Sequence, residues 1–197
     1  MIDTRKVMCV AVVGENESGK SVTVMKIIRH WKKVKPKSYK VVAFDPKNDM
    51  DSSLIDYRIK PGDKNWAYKV AKMKNILLVI DELRVLNKHH QPMRGWEELM
   101  AMRYSKNIDI IYIVHNPELI LEYLTGFTNY YFIFYTNSKE GGFAKRIPGY
   151  MYAYTASKLV NNEVIKNGGG AYPNFPHVVF NVKKKKLTAK NFKDNKI

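Results

Sequence analysis

"VVGENESGKS", Val12–Ser21, runs from the end of an apolar segment through two glycines into a lysine and a serine. From Gly14 onward the spacing is G-x-x-x-x-G-K-S. Glycines at the two ends of such a turn let the backbone curl, so that successive N–H groups can face phosphate oxygens. Lys20 then reaches the β- and γ-phosphates, and the Ser21 hydroxyl is placed as a magnesium ligand. "KVMCVAVV", Lys6–Val13, reads as a buried strand, and "KSVTVMKIIRHWKKV" carries Val24, Ile27, Ile28 and Trp31 at helical spacing. A helix starting at the turn adds the positive end of its dipole. The expected phosphate cradle is therefore Gly14, Glu15, Asn16, Glu17, Ser18, Gly19, Lys20, Ser21 and Val22, holding ATP with Mg²⁺. Glu15 and Glu17 can point to solvent while their amides face the phosphates.

Short β-branched runs alternate with longer helical patterns along the chain, the signature of βαβ units. Strands are expected at Lys6–Val13, Tyr39–Phe44, Asn75–Glu82, Ile108–Val114 and Asn129–Tyr135. Helices are expected after the glycine turn, at Gly62–Lys74, at Trp96–Ser105, from Pro117, and around Tyr150–Leu159. The fold class is thus α/β, a P-loop NTPase with a mainly parallel central sheet flanked by helices. "NGGGAYPNFP", Asn167–Pro176, reads as a loop. We expect one ATPase domain over 1–182 and a lysine-rich tail over 183–197 with mobile last residues.

"LLVIDE", Leu77–Glu82, supplies the second half of a nucleotide site. Four apolar residues place Asp81 at the carboxyl end of a core strand, where open α/β sheets bind ligands. Asp81 is the candidate Mg²⁺ partner of Ser21, and Glu82 the candidate general base for the attacking water.

The chain's 34 lysines and arginines against 18 acids give a net charge of +16, which predicts attraction to nucleic acid or an anionic membrane, or simply a soluble basic protein. A single cysteine, Cys9, excludes an internal disulfide. The N-terminus lacks a cleavage pattern, and no stretch approaches the roughly 20 apolar residues that a membrane span needs. The expected location is the cytoplasm or a virion, not a secreted compartment.

GTPase elements D-x-x-G and N-K-x-D are absent from the sequence. A small nucleotide kinase would need an arginine-rich lid and an acceptor site. "MRYSKNIDIIYIVHNPELI", Met102–Ile120, instead resembles the FtsK/HerA superfamily of DNA-pumping ATPases, where R-x-x-x-I, a hydrophobic strand, then glutamine and Arg-Pro occur. "AFDPKND" is similar to that family's second-strand turn, and the resemblance extends over Val7–Tyr135. It is most specific for the small genome-packaging ATPases of viruses with an internal membrane. His115 replaces the family's glutamine and Asn116 its arginine.

The resemblance implies DNA-stimulated ATP hydrolysis in a homo-oligomeric ring, a pentamer or hexamer, that moves double-stranded DNA into a capsid and docks at capsid vertex proteins. It also implies that His115 is the polar sensor after the fourth strand, the alternative being a satisfied strand-end histidine. Arg103, one residue further from the strand than the family spacing, corresponds to the arginine finger, with Arg84, Arg94 and Arg146 as rivals. Candidate phosphate-backbone contacts are Arg84, Lys88 and Arg94 in the loop after Glu82, and Lys183, Lys184, Lys185 and Lys186. That lysine run is equally compatible with a solubilising or localising tail. His89-His90 lacks a third ligand at metal spacing. The alternatives to a motor are a nucleotide kinase and a nucleotide-regulated DNA-binding module.

Overall fold

The computed structural model describes residues 7–82, 95–168 and 175–192. Among them, eight strands form one sheet in the order β3-β2-β4-β5-β1-β6-β7-β8. The strands are β1 (Cys9–Val13), β2 (Lys40–Phe44), β3 (Tyr57–Arg58), β4 (Ile76–Ile80), β5 (Ile108–Val114), β6 (Tyr130–Ile133), β7 (His177–Asn181) and β8 (Lys186–Lys190). The helices are α1 (Lys20–Val34), α2 (Trp66–Lys72), α3 (Trp96–Met102), α4 (Glu122–Thr125), α5 (Glu140–Ala144) and α6 (Tyr150–Lys166). The chain gathers into two compact units, the described parts of Met1–Cys9 with Ser21–Tyr112, and of Val10–Lys20 with Ile113–Ile197.

In the first unit β2, β4 and β5 are parallel neighbours, with Phe44 beside Ile80 and Ile80 beside Tyr112. Every residue of β4 is buried, which is why its sequence is an unbroken apolar run rather than an alternating one. Helix α1 buries Val24, Ile28 and Trp31, one stripe at i, i+4, i+7. The stripe ends in a polar anchor. Trp31 Nε1–H donates to Asp109 Oδ2 of β5 at 2.8 Å, the Met8 N–H donates to Asp109 Oδ1 at 2.8 Å, and Lys35 Nζ stands 3.5 Å away. Helices α2 and α3 meet through an edge contact between Trp66 and Trp96, ring centroids 6.0 Å apart.

In the second unit β1 is parallel to β6, with Val12 beside Phe132, while β6 to β7 and β7 to β8 are antiparallel. Helix α6 buries Ala153, Ala156 and Val160, and its Tyr152 ring stacks on Phe180 of β7 at 5.6 Å.

The five expected strands are present, most with shorter ends. Pro117 opens a 3₁₀ turn, Pro117–Leu119, instead of an α-helix, and α6 runs seven residues past the expected Leu159, to Lys166. The β7–β8 hairpin was not foreseen. The expected boundary at 182/183 falls in its turn, and Lys186 begins β8, so 183–190 is sheet and turn; 193–197 lies outside the described residues. The lysines conceal the strand, because an edge strand tolerates polar residues along its open side.

Burial pushes the Asp109 carboxyl above its ordinary value near 3.8, against the opposing pull of its N–H donors and Lys35. A raised carboxyl means that the fold favours the protonated acid, so stability falls as pH rises from 3.8 toward the folded value. Asp109→Asn should remove that part of the pH dependence. Asp109→Ala, which leaves two buried N–H donors without an acceptor, should cost about 3 kcal/mol. Urea unfolding across pH measures both.

Candidate nucleotide site

The glycine turn leaves β1 and enters α1 within seven residues, 14–20. It is pinned at its start: the Gly14 N–H donates to the Val114 carbonyl at 3.2 Å and the Glu15 N–H to the Tyr135 carbonyl at 2.8 Å. These two bonds hang the loop between the ends of β5 and β6. A Cβ on Gly14 would stand 2.6 Å from the Phe134 Cβ, so only glycine fits there. Further on, Glu17 (φ 60°) and Gly19 (φ 90°) both take left-handed conformations, which curl the chain as an anion-binding nest requires. Gly19 is overlaid by the Phe175 ring, whose atoms occupy the place of any Cβ.

The turn is closed on itself by the Glu15 carbonyl. It accepts the Ser18 N–H at 3.4 Å, the Ser18 hydroxyl at 2.7 Å and the Lys20 ammonium at 2.5 Å. Lys20 is 6% exposed at the head of α1. Among the described residues, the N–H groups of Asn16, Glu17 and Gly19 and the Ser21 hydroxyl make no hydrogen bond. Those donors suit phosphate oxygens, and the hydroxyl suits a cation. Asn16 and Glu17 are exposed and Glu15 part-exposed, with Glu15 Oε1 accepting the Asn137 N–H at 3.3 Å. Val22, at the start of α1, is half-buried.

At the carboxyl end of β4 the Asp81 N–H donates to the Phe44 carbonyl at 2.8 Å. Burial pushes the Asp81 carboxyl up, and the neighbouring Asp45 carboxylate pushes it further. Asp45 follows β2, and the Phe44–Ile80 register sets it beside Asp81. It accepts N–H bonds from Asp49 at 3.2 Å and Met50 at 3.0 Å, and an ion pair from Arg58. Glu82 takes a left-handed φ of 58°, and Lys47 Nζ lies 3.5 Å from its Oε2. Asp45, Lys47 and Arg58 were not foreseen as part of this cluster. Its only sequence signal was "DPKND" after the second strand. Asp45 and Asp81 thus set two carboxyl groups side by side at neighbouring strand ends, while among the described residues no group of three or more acidic, histidine or cysteine side chains is placed to hold a metal ion.

His115 and Asn116 follow β5 directly after Val114, the residue that accepts the Gly14 N–H. Both are part-buried, and Asn116 Oδ1 is enclosed without a hydrogen-bond partner among the described residues. The side chain of Arg103, the expected finger, is fully buried after α3, with its guanidinium 4.8 Å from the Tyr104 ring. A group that enters another subunit's site has to project from the surface. Arg146 is part-exposed and pairs with exposed Glu122 at 3.4 Å. Arg84, Lys88 and Arg94, with His89 and His90, lie outside the described residues. Lys183, Lys184, Lys185 and Lys186 are all exposed on the β7–β8 hairpin. No helix of the described chain is long and apolar enough to cross a membrane.

No family model and no curated protein matches the chain. Solved structures do. The DNA-packaging ATPase B204 of Sulfolobus turreted icosahedral virus superposes with a TM-score of 0.66 at 14% identity, over 93% of this chain and 96% of its own. The genome packaging NTPase B204 of Sulfolobus turreted icosahedral virus 2, in complex with ATP-γS, gives 0.65 at 13% identity, over 96% and 98%. The cytoplasmic domain of the type VII secretion ATPase EccC of Thermomonospora curvata gives 0.55 at 10% identity, over 96% of this chain and 24% of that one. The chain therefore has a P-loop NTPase fold, an eight-stranded, mainly parallel sheet with flanking helices, like that of the viral packaging enzymes it resembles.

Proposed function

We propose that this chain is the subunit of a ring-shaped motor that hydrolyses ATP to drive double-stranded DNA into a capsid. The observation that carries the reading is the glycine turn: two left-handed residues, N–H donors without partners, and a buried lysine at a helix start, in a fold matched almost end to end by packaging ATPases.

In this reading Lys20 leaves the Glu15 carbonyl for the β- and γ-phosphate oxygens, and the amides of 16–19 hold the phosphate chain. Magnesium, held by Ser21 and Asp81, would neutralise charge on those oxygens. The Asp45 carboxylate beside it raises the Asp81 carboxyl's hold on its proton, a repulsion that a cation at this place would offset. Glu82 orients and deprotonates the attacking water, with Lys47 holding the carboxylate in place between turnovers. His115 and Asn116, one residue beyond the carbonyl that anchors Gly14, respond to loss of the γ-phosphate. An arginine that a neighbouring subunit contributes to the site comes from a part-exposed position such as Arg146 rather than from the buried Arg103.

The DNA side rests on charge. A motor that travels along any sequence grips phosphates, for which lysine on a rigid hairpin suffices. Lys183–Lys186 meet this need because they are fixed in a paired turn and strand.

Phosphate release by the full-length protein, with and without double-stranded DNA, tests the core of the proposal. Glu82→Gln should bind Mg-ATP as the parent does yet hydrolyse it about 10²- to 10⁴-fold more slowly. Lys20→Ala should lose both binding and turnover. Hydrolysis by Glu82→Gln at the parental rate would remove the general-base assignment, and phosphate appearing on a nucleotide acceptor would replace the motor with a kinase.

Replacing Lys183–Lys186 together with glutamine should weaken DNA binding at every sequence and lower the slope of log K against log salt by about 3 to 4. Filter binding across a salt series measures it. An unchanged slope would take the hairpin out of the DNA path.

A further inference from the structure

Phe175 stands over the glycine turn in a way that packing alone does not require. Its Cγ, Cβ and Cδ1 are the atoms nearest to the place of a Cβ on Gly19, so the ring lies flush on the loop backbone. The residue is nevertheless part-exposed, and its φ of 45° is left-handed, a conformation that bulky side chains avoid. The chain holds it there from behind. Asn191 Nδ2 donates to the Phe175 carbonyl at 3.4 Å, and His177 Nδ1 lies 3.1 Å from the same oxygen, a donor in its Nδ1–H tautomer. The His177 ring is in turn stacked on Phe134 at 4.7 Å and on Phe132 at 5.7 Å. Phe134 is the residue whose Cβ fills the space beside Gly14. A row of aromatic side chains thus runs alongside both glycines of the turn and ends in the part-exposed Phe175 ring.

We propose that the Phe175 ring is the stacking surface for the base of the bound nucleotide, and that its ligand class is purine nucleoside triphosphates without preference between adenine and guanine. The proposal rests on the phosphate-loop reading given above. Once the loop amides and Lys20 engage the phosphates, the sugar and base extend beyond the turn, where a π-face in contact with Gly19 is within reach. Stacking is tolerant of base identity because every base offers a π-face, and a purine offers the larger one. The contacts of His177 and Asn191 hold the backbone that carries the ring, so less of the chain is left to order on binding.

The test is titration of the full chain with Mg-ATP, Mg-GTP and inorganic tripolyphosphate, following heat of binding. Phe175→Leu keeps apolar bulk and loses the π-face, whereas Phe175→Trp keeps the π-face. Phe175→Leu should weaken ATP and GTP alike by about tenfold and leave tripolyphosphate unchanged, and Phe175→Trp should retain parental affinity. Circular dichroism melts confirm that both variants fold. Three outcomes would overturn the proposal: Phe175→Leu binding ATP like the parent, weakening tripolyphosphate to the same degree, or binding ATP more tightly. The second would mean that the ring only shapes the loop, and the third that it obstructs it. Failure of the parent chain itself to bind either ATP or tripolyphosphate is a different result, which defeats the phosphate-loop reading and this proposal together.

Discussion

The second unit is organised by how closely other chain segments approach the backbone of the glycine turn. At Gly14 the Phe134 Cβ would lie 2.6 Å from an added methyl, and at Gly19 the Phe175 ring already fills that place. Two close approaches within six residues leave the loop a single course, and the bonds from Gly14 to Val114 and from Glu15 to Tyr135 fix where that course begins. Because the loop is anchored to strand-end carbonyls rather than to flexible side chains, the position of Lys20 follows from the sheet. That position is costly: an ammonium 6% exposed has given up most of its hydration. The geometry makes sense for a group whose function is to meet an anion.

How much of this was legible in the sequence depended on which level set each feature. β1, β4 and β5 were plain because strands covered on both faces are continuous apolar runs, and "IDIIYIV" occupies Ile108–Val114 without a residue to spare. The turn was legible because its glycines are demanded by local geometry. β3 has two residues, and no periodicity can be read from two. The β7–β8 hairpin was hidden by its lysines, which mimic a tail. Nothing local distinguishes an exposed edge strand such as "KLTAK" from a solvated segment.

The site was half legible for the same reason. Asp81 and Glu82 are announced by the run before them, whereas Asp45, Lys47 and Arg58 join them only through the β2–β4 register, a tertiary fact. Arg103 is the reverse case. Spacing from a strand says how far along the chain a residue stands, not which way its side chain turns, and here the guanidinium is enclosed. Phe175 had no signal at all, being one of two aromatic residues in a glycine- and proline-rich stretch.

Charge gives the last step. A protein with a net charge of +16 gathers Asp45, Asp81 and Glu82 at the ends of two neighbouring strands. Repulsion among them is relieved in three ways: the Arg58 pair on Asp45, the Lys47 pair on Glu82, and an Asp81 carboxyl that resists ionisation. Were the cluster structural, a single acid paired with Arg58 would serve, since adding acids only adds repulsion and desolvation. The charge excess of the whole chain therefore does not describe this corner of the fold, where Arg58 and Lys47 pair with acids that their own neighbours repel.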